Sequence, residues 1–546
     1  GDSILFQRGN VFRGWLQINV SDLYLGPFGS GSKPIIAGYQ KIENNWSADG
    51  NNIYQVKQAA SDIQFLTISD KNYKKGKFPN KGWNSISAAS SNSGFYDKSL
   101  TQPGSFWNNA EAVIRTCRWQ MNIKDVQSNS NDGYISLKNE TWYTPKAGAG
   151  YFLQNHKNCL SSTGEWAYNE GILHLYNETN PNTLNVYAST IDNAIVINAN
   201  NLTINRLDFR GYNDYAIKSR NYDNLSIQNC SFSNILSAMF IKKANKVRIE
   251  NCSFRKIGNH GVMFLSVTDG IISNNVFKNI GVEPGILKDQ GYGTYKAIYM
   301  LYTDACSIVG NEIDSIGYNG ISFAKSNEIH IEKNSETNYC LLLDDGGGIY
   351  SWHCDIKYFD NYTGCSIINN YVQGSVSNEA CLASSELDWS QSVGIYVDDE
   401  CSYYNIKNNF CVQNLYNIYI HNSHHMNIEN NFATKSISNY KKTSGELSFN
   451  HNSGFMEIAH CNIKNNILVT NMLDNFVNEV LTVKSKRISD NNHFQNNFHF
   501  MATGQYSNMV HAIAFEDANG NTKKYRVDDW NNLNITTNES TNKIWY

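Results

Sequence analysis

The sequence predicts an all-β chain wound as a parallel β-helix, a solenoid of short stacked strands, with an inserted β-rich subdomain near the N-terminus. Three observations predict it. Ile195, Ile217, Met239, Val262, Ile298, Ile321, Ile349, Ile395 and Ile418 mark one apolar position that returns, in most steps, every 22 or 23 residues. A second strand per repeat reads Ile-x-x-(Asn or Cys), as in Ile227 with Cys230, Ile249 with Cys252, Ile272 with Asn275, Ile308 with Asn311, Ile406 with Asn409 and Ile428 with Asn431. Composition agrees: seven prolines, 13% aromatic and 17% charged residues describe β structure with a weakly charged surface. A period of roughly 20–30 residues made only of short strands means a solenoid in which each coil buries its apolar face against the next. The leucine consensus of leucine-rich repeats is missing. Stacked Asn side chains satisfy buried polar groups along the axis.

In chain order, residues 1–57 give short strands between Gly- and Ser-rich turns and read as the first coils. Residues 58–187 lose the repeat, are rich in tryptophan and read as the inserted subdomain. Regular spacing over 188–470 is the parallel β-helix with its groove. From 471 to 546 the register weakens, which predicts irregular terminal coils and a cap.

Three steps along the apolar column are long: 36 residues from Val262 to Ile298, 28 from Ile321 to Ile349 and 46 from Ile349 to Ile395. Loops emerging at one edge of adjacent coils would wall a groove, and loops on a rigid scaffold are where binding and chemistry concentrate. The insertions at about 281–296 and 375–392 are therefore expected beside the acidic cluster described next.

Alternation of strand side chains puts Tyr350, Tyr396 and Tyr419 outward if Ile349, Ile395 and Ile418 point inward. Two residues on, the outward set is Trp352, Asp398 and His421, whereas the Ile321 coil offers only Ser322 and Ala324. Aromatic faces suit sugar rings, and carboxylates with imidazole bind hydroxyls and move protons. Glycoside hydrolysis needs two carboxyl groups flanking one bond, and Asp345, Asp398 and Asp399 are the candidates. Tyr350, Trp352, His353, Tyr396, Tyr419 and His421 are the candidate substrate-binding residues. Each has a bland reading beside the functional one: a solvated turn for the Asp-Asp pair, a cross-coil aromatic stack for the tyrosines, an ordinary surface imidazole for the histidines. Glu379, Glu386 and Asp388, on the long insertion, are reserves for the general acid. In a straight strand Asp345 and Asp398 would stand roughly 20 Å apart, and Gly346-Gly347-Gly348 is the feature expected to fold Asp345 back towards the groove.

A formal charge of −4, without a basic block or stripe, argues against nucleic acid. No run of 18 apolar residues predicts membrane insertion, and the chain opens at Gly1-Asp2-Ser3, as it would after removal of a signal peptide. Among the twelve cysteines none has zinc-site spacing; Cys230 and Cys252 occupy equivalent positions, as stacked thiols or as a vertical bridge between coils.

Taken together, Gly1-Asp2-Ser3-Ile4-Leu5-Phe6-Gln7-Arg8-Gly9, Phe78-Pro79-Asn80, Gly164-Glu165-Trp166, Asp345-Gly346-Gly347-Gly348-Ile349-Tyr350 and Gly394-Ile395-Tyr396-Val397-Asp398-Asp399 resemble bacterial right-handed parallel β-helix glycoside hydrolases, of the kind that includes β-helical fucosidase, xylanase and xylosidase families. The resemblance implies right-handed winding, an acidic pair made of Asp345 with Asp398 or Asp399, and a secreted or periplasmic enzyme acting on plant or algal polysaccharide or oligosaccharide. No cofactor is expected, with a structural or catalytic Ca2+ as the alternative. The alternatives are a polysaccharide lyase, which would pair a base with a cation such as Ca2+ held by Asp clusters and for which Lys325 is the nearest basic residue by register, and a non-catalytic polysaccharide-binding protein.

Overall fold

The computed structural model describes residues 1–546 except 70, 288–292, 375–391, 435–444, 453, 471–478, 485–491, 496, 502–512, 517–521, 526–543 and 546. Its backbone is a parallel β-helix with three faces, and the described residues contain strands and three short 3-10 turns but no α-helix. The apolar column predicted from the repeat is in register along the first face. Ile195 pairs with Ile217, Ile217 with Met239, Met239 with Val262, Val262 with Ile298, Ile298 with Ile321, Ile321 with Ile349, Ile349 with Ile395, and Ile395 with Ile418. All are buried. A one-residue slip would turn the whole column to solvent, which is why the register is so strongly fixed.

The second face stacks Ile204, Ile227, Ile249 and Ile272 and continues to Ile463. On the third, the rings of Phe209, Phe232, Phe254 and Phe277 stack nearly parallel with centroid spacings of 5.1, 5.0 and 4.5 Å. In-register strands about 4.8 Å apart bring like residues into stacking distance.

Between these two faces the chain turns a corner by a two-residue device. The first residue takes a left-handed conformation, as at Asn274, Asn369, Asn408, Asn430 and Asn465, which Asn tolerates better than most residues. The second, Asn275, Asn370, Asn409, Asn431 or Asn466, points inward and joins a ladder. In it Asn334, for example, accepts from the backbone N–H and the side chain of Asn311 at 2.9 Å each, and donates to Asn370 at 3.0 Å and to the Ile308 carbonyl at 2.9 Å. Cys252 and Cys230 continue the ladder upward, with the Cys230 N–H donating to Cys252 Sγ at 3.4 Å. Cys230 and Cys252 are buried free thiols, so the vertical bridge between them is not formed.

The solenoid runs through the insertion without a break in stacking. Leu16–Ile18 pairs in parallel with Ile195–Ile197, and Ile35–Ala37 with Asp208–Arg210. Ile35–Ala37 is the last solenoid strand before the insertion. Tyr39–Lys41 and Ile53–Lys57, read above with the first coils, pair instead antiparallel with Val186–Ser189 and Ile172–Tyr176. Short strands bounded by turns look alike in sequence whether their partner runs parallel or antiparallel. Between them stand three antiparallel sheets with two separate apolar cores. Beyond 470, Glu479–Lys484, His493–Gln495 and Phe498–Met501 still stack in parallel, and Ile513–Glu516 ends its face by pairing antiparallel with Thr522–Tyr525.

Candidate active site

Three consecutive strands of the first face build the site: Gly346–Trp352, Ser392–Val397 and Tyr416–His421. Their register sets Tyr350, Tyr396 and Tyr419 side by side, with ring centroids 5.2 and 5.1 Å apart. The tyrosines point away from the Ile column as expected, yet Tyr396 and Tyr419 are only 3% and 4% exposed. Their rings pack with Val393, Leu415 and Tyr416, so they form the wall beneath the carboxylates and offer no open stacking surface. Val393, Leu415 and Tyr416 give that outer surface an apolar layer of its own.

Asp398 caps this wall. It accepts from the Tyr350 phenol at Oδ2 (2.8 Å) and faces His421 Nδ1 through Oδ1 (2.8 Å). Asp399 lies 3.3 Å from the same imidazole nitrogen and accepts from Asn422 Nδ2 at 2.6 Å. Burial works against a charged His421, but the hydrogen bond to Asp398 and the charges of Asp398, Asp399 and Asp345 outweigh it and raise the imidazole above its ordinary value. Asp399 is itself raised, by burial and then by the charge of Asp398.

Asp345 stands at the start of the first strand, and the structure revises how it reaches the groove. None of Gly346, Gly347 and Gly348 has a left-handed backbone; Asp345 itself does, with φ of +60°. The glycines serve close packing instead. A Cβ on Gly346 would lie 2.1 Å from Asn319 Oδ1, and one on Gly348 2.6 Å from Val372 Cγ1. The straight-strand separation does not describe the carboxyl groups either. Asp345 Oδ1 is 3.5 Å from the Tyr396 phenol, whose ring packs against Tyr350, the donor to Asp398. A pair of tyrosines therefore bridges the two acids. Burial pushes the Asp345 carboxyl up, Arg118 and His421 pull it down, and Asp398 and Asp344 push it up, so that it comes to about 6.

Arg118 is the residue that reading the sequence missed. It sits at the tip of the hairpin Glu111–Cys117 and Gln120–Asn129 in the inserted subdomain, and its Nε donates to Asp344 at 3.2 Å, across 226 residues. Asp344 is fully buried and also meets Arg115 at 3.3 Å, while its backbone N–H donates to the Arg118 carbonyl at 3.0 Å. Asp344 thus anchors the subdomain to the coil carrying Asp345. No local signal marks Arg118, because its role exists only once the insertion folds back on the solenoid.

Trp352 and His353 lie at the other end of the strand. Their rings stack at 3.6 Å, and His353 Nε2 is 3.3 Å from Glu400; burial lowers the imidazole, with Glu400 opposing. Lys325 sits near the faces of Tyr302, Trp352 and Tyr358, at 5.5, 5.8 and 5.9 Å from their centroids. Of the insertion at 281–296, the described part contacts the subdomain, with Gln154 donating to the Gly285 carbonyl at 2.8 Å. The 375–392 insertion, with Glu379, Glu386 and Asp388, lies outside the described residues but for Ser392.

Asp398, Asp399 and His421 offer ligand atoms within 4.8 Å of one another. Two carboxylates and an imidazole are not the all-oxygen cage of six to eight ligands that Ca2+ takes, so the calcium expected of a lyase fits this donor set poorly.

Comparison with known proteins identifies the fold. A family model described as a right handed beta helix region matches residues 170–295. Among solved structures a glycoside hydrolase is 14% identical, with a TM-score of 0.64 over 78% of this chain and 87% of that one. The xylose complex of XylC is 12% identical over 94% and 81% of the two chains with a TM-score of 0.33. A periplasmic alginate epimerase, AlgG, is 11% identical over 57% and 77% with a TM-score of 0.36. No curated protein matches by sequence. The chain is a right-handed parallel β-helix, and at these identities the likeness extends to the fold alone.

Proposed function

We propose that this right-handed β-helix is a glycoside hydrolase acting on a polysaccharide or oligosaccharide, with Asp345 as the general acid and Asp398 as its ionised partner. One observation carries the reading: two carboxyl groups joined through Tyr396 and Tyr350 have different partners. Asp345 is desolvated and raised to about 6, whereas Asp398 accepts from a phenol and faces a raised imidazole. Environments that set two acids apart are how one site holds a protonated and an ionised carboxyl group at the same pH.

In the reaction Asp345 gives its proton to the leaving glycosidic oxygen as the bond to the anomeric carbon breaks. Asp398, held in orientation by Tyr350 and His421, attacks that carbon or takes a proton from the water that does. The positive charge developing on the sugar ring is met by Asp398 and Asp399. The charge of Arg118 reaches Asp345 and favours the ionised form that remains after proton transfer.

The test is a polysaccharide panel assayed for new reducing ends with the wild type, Asp345→Asn and Asp398→Asn. Turnover lost by orders of magnitude in both variants, with folding retained, supports the assignment; near wild-type activity in both refutes it. Ultraviolet-absorbing unsaturated products, sensitive to chelator, would identify a lyase instead, and binding without turnover a non-catalytic protein.

A further inference from the structure

The hairpin tip that carries Arg118 presents something more than an ion pair. Arg118 is 7% exposed, and while Nε is committed to Asp344, its Nη2 has no hydrogen-bond partner and is buried beside the acid site. Its guanidinium charge reaches both Asp345 and Tyr396. A buried N–H without an acceptor costs free energy, which an oxygen of a bound ligand would recover.

The next residue, Trp119, is 38% exposed and belongs to a patch with Tyr143 and Trp142, 44% and 56% exposed. Trp119 Nε1 donates to the Tyr143 phenol at 3.2 Å, and the two rings meet at 89°. Because the indole N–H lies in the ring plane, this bond fixes the ring by its edge and leaves a face to solvent. A contiguous exposed aromatic patch held rigid in this way suits the apolar face of a sugar ring.

The position of this patch relative to the acids gives it meaning. Arg118 and Trp119 adjoin the start of the strand Gly346–Trp352, beside Asp345, while Trp352 and His353 stand at its end, beside Asp398. Aromatic surfaces thus lie on both sides of the acid pair.

We propose that Arg118 and Trp119 form a sugar-binding subsite contributed by the inserted subdomain, and that the substrate is a glycan chain occupying both sides of the cleaved bond rather than a single terminal sugar on a small leaving group. Trp119 stacks on the apolar face of one sugar ring, and Arg118 Nη2 donates to a hydroxyl or ring-substituent oxygen of the sugar next to Asp345. The proposal rests on the hydrolase reading for its kinetics but not for its binding.

The test compares wild type, Trp119→Ala and Trp119→Phe on a disaccharide and a hexasaccharide prepared from the polymer that the wild type cleaves. One aromatic contact is worth about a tenfold change in kcat/KM. Trp119→Ala is therefore expected to lose about tenfold more on the hexasaccharide than on the disaccharide, through KM, with Trp119→Phe restoring most of it. Arg118→Lys, which keeps the charge but not the second nitrogen, should raise KM on the hexasaccharide. Equal losses on both substrates, or no loss, overturn the proposal. If the wild type cleaves no polymer the hydrolase reading fails separately, and affinity electrophoresis in soluble xylan, alginate and pectin then decides the subsite. Retardation of the wild type that weakens in Trp119→Ala and returns in Trp119→Phe supports it; no retardation, or retardation indifferent to Trp119, overturns it.

Discussion

Replacing Asp345 by asparagine is expected to stabilise the protein at neutral pH while abolishing turnover. The backbone at Asp345 is left-handed, a conformation Asn and Asp adopt more readily than other non-glycine residues, and the two side chains are isosteric, so the substitution removes charge with little change of shape. The native carboxyl titrates near 6 rather than the ordinary 3.8. Between those values the native state holds a proton that the unfolded chain has lost. Stability therefore falls as pH rises through this window, because the unfolded state binds fewer protons. Above it the ionised carboxylate costs the native state on the order of 3 kcal/mol, at about 1.4 kcal/mol per pH unit. Asparagine carries no such cost. The variant should exceed the wild type by up to about 3 kcal/mol in unfolding free energy at about pH 7.5, and by almost nothing at about pH 3.5. Guanidinium unfolding at the two pH values measures both differences. A variant no more stable than the wild type at the higher pH would show that Arg118 fully compensates the buried charge, and that Asp345 is an ordinary paired carboxylate and not a poised acid.

The same titration should shape catalysis: kcat/KM on a cleaved substrate is expected to fall about tenfold per pH unit above about pH 6 as Asp345 loses its proton, and a profile flat to about pH 8 would assign the acid elsewhere. Tyr350→Phe removes the 2.8 Å hydrogen bond to Asp398; such a bond to a charged group is worth about 1.5–3 kcal/mol, so turnover should drop about ten- to hundredfold with an unchanged circular dichroism spectrum. Asn334→Ala strands the buried Asn311 N–H and deletes four ladder bonds, for an expected loss of about 3–5 kcal/mol in denaturant unfolding. Asn334→Cys should lose less, since Cys252 fills the same position higher in the ladder; equal losses would show that the thiol accepts nothing there. Gly348→Ala should lower the melting temperature by overpacking against Val372 and Tyr339, at about 1–3 kcal/mol.

What could be read from the chain and what could not divides along the range of the interactions. A solenoid repeats one local solution, so the pairing of Ile349 with Ile395 and Ile418 is written as a period, and so are Asn408-Asn409 and Asn430-Asn431, where one residue turns the corner and the next joins the ladder. Alternation along a strand likewise puts Tyr350 and Asp398 on the outer surface. The same logic failed for exposure. Outward is not the same as open, and Tyr396 and Tyr419 point outward into an apolar layer formed by Leu415, Tyr416 and Val393.

By itself the sequence determined the β-helix, its register, the ladder that satisfies its buried corners and the coils on which the acids stand, because each depends on residues about one turn apart and repeats along the chain. Tertiary structure alone decided how those acids differ. The arrival of Arg118 across 226 residues depends on an insertion folding back on coils far along the chain, and the bridge from Asp345 to Asp398 on how two tyrosines of neighbouring coils pack. Electrostatic environment is a sum over everything near a group in space, and no period in a sequence records which distant residues those will be.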